Sequence, residues 1–133
     1  MVKILPQSRD RYVWVHVEGR FTEDDYQTLT PFLERRIESH RSLRVLFELT
    51  DLHGWQAKSA FEEMSFVLKH QKNFEKIAFV GSRRTEEILA WLIEIFSSSI
   101  VEFFSADNAK GAWDWLHADD TAEYLSFASQ GTV

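Results

Sequence analysis

The chain has 133 residues, 44% apolar and 27% charged, the composition of one globular domain long enough to bury a core. Fifteen basic against twenty-one acidic residues leave a net charge of −6, which opposes nonspecific binding to nucleic acid or to an anionic membrane surface. Cysteine is absent, which excludes disulfides, thiolate metal sites and thiol catalysis together.

Eleven Phe and five Trp require a core or a pocket that absorbs bulky rings. The first residues hold no apolar stretch of signal-peptide length. No later segment approaches the roughly 20 apolar residues of a membrane span, so a cytoplasmic protein without a transmembrane segment or a nucleic-acid partner is expected.

In chain order, residues 2–5 read as a short strand stopped by Pro6 and the polar turn Gln7-Ser8-Arg9-Asp10. Residues 12–18 read as a second strand, with Val13, Val15 and Val17 on one face and Tyr12, Trp14 and His16 on the other. The two are expected to pair as an antiparallel hairpin at a sheet edge, the second ending at Gly19. Thr22 is placed to cap a helix whose first turn holds Glu23, Asp24 and Asp25. Tyr26, Leu29, Leu33 and Ile37 follow at helical spacing, and Pro31 within them predicts a kink or a late start.

Residues 43–49 and 76–80 are short apolar runs that each feed a helical pattern, the mark of parallel strands joined by helical crossovers. The helix after the first run carries Ala57, Phe61, Met64 and Leu68 on one stripe; the helix after the second carries Ile88, Trp91, Leu92 and Ile95. Residues 100–104 read as the last strand. Asp107-Asn108 can cap a final helix with Ala109, Ala112, Trp113 and Leu116 facing inward. The order is β-β-α-β-α-β-α-β-α: one α/β domain over residues 1–118, a mixed, largely parallel sheet of about five strands with about four helices, and a tail at 119–133.

Ligands of open α/β sheets collect at the carboxyl ends of strands. There Gly81-Ser82 with Arg83-Arg84 at a helix N-terminus can hold an anion, although neither GxGxxG nor GxxxxGK[ST] is present. Asp51-Leu52-His53-Gly54-Trp55 reads as a second loop, in which Asp51 and His53 can pair with Ser59 a turn into the next helix. A hydrolase would need its serine on a strained GxSxG elbow, which is missing, so the plainer reading is a glycine turn plugged by Trp55. His16, His40, His53, His70 and His117 are scattered without the i, i+4 spacing of a metal pair, and no metal or other cofactor is expected. The richer surface is aromatic. Trp55, Phe61, Met64, Phe66, Trp91, Ile95 and Phe96 can line an apolar cavity or a partner groove, although most of such a stripe is ordinarily core.

Several of these pieces resemble a known family. Gly19-Arg20-Phe21-Thr22-Glu23-Asp24-Asp25-Tyr26 with Pro31 is similar to the opening helix of the SpoIIAA-like bacterial domains. So are residues 45–49 with Gly54-Trp55, Lys69-His70 before Phe74-Glu75-Lys76-Ile77-Ala78-Phe79-Val80-Gly81, and Ala112-Trp113-Asp114-Trp115-Leu116. The resemblance implies a STAS-like α/β fold, similar also to lipid-binding domains of the Sec14/CRAL-TRIO type. Anti-sigma-factor antagonists of the wider group carry a phosphorylated serine in an Asp-Ser-Ser-Gly-like loop; here that region reads Asp51-Leu52-His53-Gly54-Trp55, and Ser59 does not match by position or neighbours.

The expectation is therefore a non-enzymatic binding or regulatory domain, with no catalytic residue assigned. It would bind a protein partner or a small apolar, lipid-like ligand, and a homodimer through an edge strand or the aromatic helix face is consistent with it. The alternatives are a phosphorylation switch at Ser59 or Thr50 and, last, an enzyme of unreadable class.

Overall fold

Alternation along the second strand decides how the sheet is built. In Tyr12–Phe21 (β2), Val13, Val15 and Val17 are buried on one face while Tyr12, Trp14 and His16 stand half-buried on the other. The computed structural model describes residues 1–55, 71–82 and 98–118 and sets β2 in a five-stranded sheet. The other strands are Val2–Ile4 (β1), Leu43–Trp55 (β3), Phe74–Gly81 (β4) and Ile100–Ser105 (β5), lying side by side in sequence order. β1 is antiparallel to β2 and every other pair is parallel, the mixed sheet with an N-terminal hairpin that the sequence predicts.

Two strands run further than their apolar runs suggest. Gly19 does not end β2. It takes the left-handed conformation (φ 72°) at the point where the β2–β3 register shifts between Glu18 and Arg20. The extra residues lie on β3, where Asp51, Leu52 and His53 face Gly19 alone, and the freedom of a residue without a Cβ lets β2 carry on to Phe21. Arg20 and Phe21 then pair with Gly54 and Trp55, which draws residues 50–55 into β3. The expected Asp51–Trp55 loop is thus strand, bent where Asp51 adopts φ 48°.

The helix Glu23–His40 (α1) begins with a full capping box: Thr22 Oγ1 accepts from the Asp25 amide, and the Asp25 carboxylate accepts from the Thr22 amide. Pro31 lies inside α1 without delaying its start. Proline removes the hydrogen bond to the Gln27 carbonyl, and both residues face solvent, where water replaces it. The helix stops at Arg41, held at φ 65°, with the Ser42 amide reaching back to the His40 carbonyl at 2.7 Å. Such a tight three-residue turn is strained for a residue with a Cβ.

Each face of the sheet has its own core. Leu29, Leu33 and Ile37 of α1 pack on the face holding Val13, Val15, Val17, Val45, Leu49, Ile77 and Phe79. The final helix, Ala109–Leu116 (α2), packs on the other face, where Ala112, Trp115 and Leu116 meet Leu46, Ala78 and Val80. Trp115 joins the expected inward set, while Ala109 and Trp113 are only half-buried. Asn108 occupies the N-cap of α2 but its side chain makes no cap hydrogen bond. That side chain lies over Gly111 instead, within 2.4 Å of where a Cβ would stand.

Two α-helices and a single 3₁₀ turn at Gln71–Asn73 are found among the described residues. The expected second and third helices, with Ser59 and His70, and the 119–133 tail lie outside them. No described helix is long and apolar enough to cross a membrane.

Candidate functional site

The expected site residues divide sharply. Gly81 is buried at the carboxyl end of β4, beside Ser105 of β5, and Ser82 is exposed just beyond it. Arg83 and Arg84, which would complete an anion site, lie outside the described residues. Trp55 closes β3 opposite Phe21. Phe61, Met64, Phe66, Trp91, Ile95 and Phe96 lie outside the described residues as well, so the expected aromatic surface is not among the geometry that follows.

Three other arrangements on the sheet were not read from the sequence. The first is a buried cation pair. Arg44 and Lys76 are register partners on β3 and β4, and their side chains are only 1% and 2% exposed. Arg44 donates to the carbonyls of Leu116 and Ala118 and, at 2.7 Å, to the Glu75 carboxylate. Lys76 donates to the carbonyls of Trp115 (3.3 Å) and Ala118 (3.2 Å), and its ammonium lies over the Trp115 ring. Both cations meet the negative end of α2, where carbonyls lack intrahelical partners. Arg11 and Ser42 also reach Glu75, at 3.5 and 3.4 Å. The pair fastens α2 to the sheet. The signal in the sequence was a basic residue inside each of two runs expected to be buried, since a buried charge must find partners.

The second is a polar cluster on the same face, further along the strands. His16 and Glu48 are register partners on β2 and β3, and both side chains are about one-fifth exposed. Glu48 Oε1 accepts from Trp14 Nε1 at 3.0 Å and lies 3.2 Å from His16 Nδ1. A carboxylate oxygen only accepts, so Nδ1 is the donor in this contact. Nε2 stands 3.9 Å from Glu18 Oε2. The Trp14 ring leans on Trp113 of α2, with centroids 5.2 Å apart, and Tyr12 stacks on His117 at 4.0 Å. The cluster holds an oriented imidazole, and among the described residues no hydroxyl is bonded to it. Among the described residues no group of three His, Asp or Glu side chains is arranged to hold a metal.

The third is the outer edge of β5. Ile100 (42% exposed) and Phe103 (44% exposed) project from its two opposite faces. Among the described residues β5 has no sheet neighbour on its outer side. An edge strand of this kind presents unpaired backbone groups together with apolar side chains, the arrangement that receives an added strand.

Comparison with known proteins agrees with this architecture. The SpoIIAA-like family model matches residues 12–117. The chain is similar to the crystal structure of an uncharacterized protein of the DUF3478 family with a SpoIIAA-like fold from Shewanella loihica PV-4. The two are 26% identical, the match covers 87% of this chain and 92% of that one, and the TM-score is 0.68. No curated protein matches the chain.

Proposed function

Since the chain belongs to the SpoIIAA-like family, we propose that it is a non-enzymatic, cytoplasmic binding domain that engages a protein partner along the β5 edge. The observation that carries this reading is that β5, which has no outer sheet neighbour among the described residues, carries two exposed apolar side chains, Ile100 and Phe103, one on each face. A strand added there gains backbone hydrogen bonds, and alternate side chains of the added segment cover both residues. Among the described residues the His16–Glu48 pair has no hydroxyl bonded to it, and the phosphoacceptor motif of anti-sigma-factor antagonists is absent from residues 51–55. The reading therefore assigns no reaction. A small apolar or lipid-like ligand is the second reading; it rests on the resemblance and on aromatic residues outside the described ones.

The test compares immobilised wild-type protein with Phe103→Asp for proteins retained from cell extract. The expected result is at least one protein retained about tenfold less by the variant, a change of about 1.4 kcal/mol, while its circular dichroism is unchanged. Equal retention by a folded variant would overturn the β5 placement.

A further inference from the structure

We infer that the partner at the β5 edge is a second copy of this chain, which adds its β1 edge there, so that copies join head to tail in one continuous sheet. The inference rests on the β5 reading and names its partner.

Backbone direction is the first constraint. The Glu18 amide donates to the Met1 carbonyl and the Leu5 amide to the Trp14 carbonyl, so Met1 and Leu5 turn their backbone groups towards β2. That direction alternates along a strand, so Val2 and Ile4 turn theirs to the outer side of β1. Trp14 turns its groups towards β1 and has its side chain on the α2 face. Chirality ties side-chain face to backbone direction in strands that run alike, and β5 runs parallel to β2 through β3 and β4. On β5, Phe104 lies on the α2 face and Val101 on the α1 face. Val101 and Phe103 therefore turn their backbone groups outward.

Side chains then select one antiparallel register. Setting Val2 against Phe103 and Ile4 against Val101 makes both of them hydrogen-bonded pairs. Val2, Ile4 and Val101 line the α1 face, so apolar meets apolar there and the 44% exposed Phe103 is covered. On the α2 face the same register sets Leu5 against the 42% exposed Ile100, and Lys3 against Glu102. Lys3 and Glu102 are exposed and of opposite charge, and they fall at a non-hydrogen-bonded position, where side chains lie closest. A slip of two residues sets Lys3 against Ile100 or Phe104 and loses the match. Two β5 edges paired about a two-fold axis, in the register that covers Ile100 and Phe103, set Glu102 against its own copy. Two β1 edges centred alike set Lys3 against Lys3. Each edge thus repels itself and fits the other. A head-to-tail contact of this kind does not close on two chains, so the assembly is an open series.

The net charge of −6 repels copies at long range, so the expected dissociation constant is about 100 μM. Sedimentation velocity of the purified full chain, from about 10 μM to about 1 mM, is expected to give an average mass that passes a dimer and keeps rising. Lys3→Glu and Glu102→Lys each put like charges across the contact and are expected to weaken association about fivefold, with circular dichroism unchanged. Mixed in equal amounts, the two variants again oppose unlike charges at every contact and are expected to associate as the wild type does. A wild type that stays a monomer overturns the second copy as partner, while loss of extract proteins by Phe103→Asp would still support the β5 edge itself. A dimer that does not grow, or a mixture that associates no better than either variant alone, overturns β1 as the edge that is added.

Discussion

A carboxylate in the middle of a strand that is buried on both faces has to find donors, and Glu48 finds two on the neighbouring strand. Trp14 and His16 alternate with the buried valines of β2, so their shared face was legible in the sequence. That Glu48 stands opposite His16 was not, because the register of two parallel strands joined through α1 is set by packing between residues far apart in the chain. Asp25 is the other carboxylate with a defined task. Burial works to raise its pKa, but the Thr22 amide and hydroxyl and the Met1 ammonium (3.2 Å away) hold it below its ordinary value of 3.8. A carboxyl whose pKa is depressed by folding stabilises the fold above its unfolded pKa and loses that contribution as pH falls through its folded pKa. The urea midpoint of the wild type is thus expected to exceed that of Asp25→Asn by a constant margin from pH 7 to about pH 5. The margin then shrinks as pH drops below about 4. A margin independent of pH down to about 2 would assign the difference to lost cap geometry alone.

At the scale of elements, α2 raises the sharper question, since a helix of eight residues has little stability of its own. Its apolar residues Ala112, Trp115 and Leu116 bury one stripe, and Arg44 and Lys76 hold its last carbonyls. The Lys110–Asp114 pair on its outer face is exposed and adds little by comparison. Arg44→Met removes a buried guanidinium and leaves Glu75 and two carbonyls to find other partners. It is expected to cost about 3 kcal/mol in urea unfolding, with Trp fluorescence changing first as α2 loosens. A loss below about 0.5 kcal/mol would mean that packing alone holds α2. The apolar stripe of α2 was readable in residues 109–116, apart from Trp115. Its fastening was not, because the two cations come from strands more than thirty residues earlier. The N-cap of α1 was legible at Thr22 because it is local, while the reciprocal bond from Asp25, three positions on, came from the structure.

For the molecule as a whole, the sheet was legible because each strand carries its own pattern. β2 alternates, and β4 is apolar throughout apart from Glu75 and Lys76. The antiparallel start and the α1 face follow from residues 2–40, and the parallel remainder from the runs at 43–49 and 76–80 that each feed a helical pattern. The strand lengths were misread where Gly19 was taken as the end of β2 and residues 51–55 as a loop, since a glycine in a strand marks an irregularity as readily as an end. Less of the function was legible. The aromatic surface expected at residues 55–96 is not part of the described geometry, whereas the exposed β5 edge emerged only when strand order was known.

The proposed function is that of a domain that meets another protein along β5 rather than one that encloses a ligand. Native mass spectra of protein purified without detergent, followed by denaturing extraction, test this most directly. The account expects masses made up of polypeptide alone, whether one chain or an assembly. A stoichiometric extra mass that extracts as a lipid or fatty acid would contradict it.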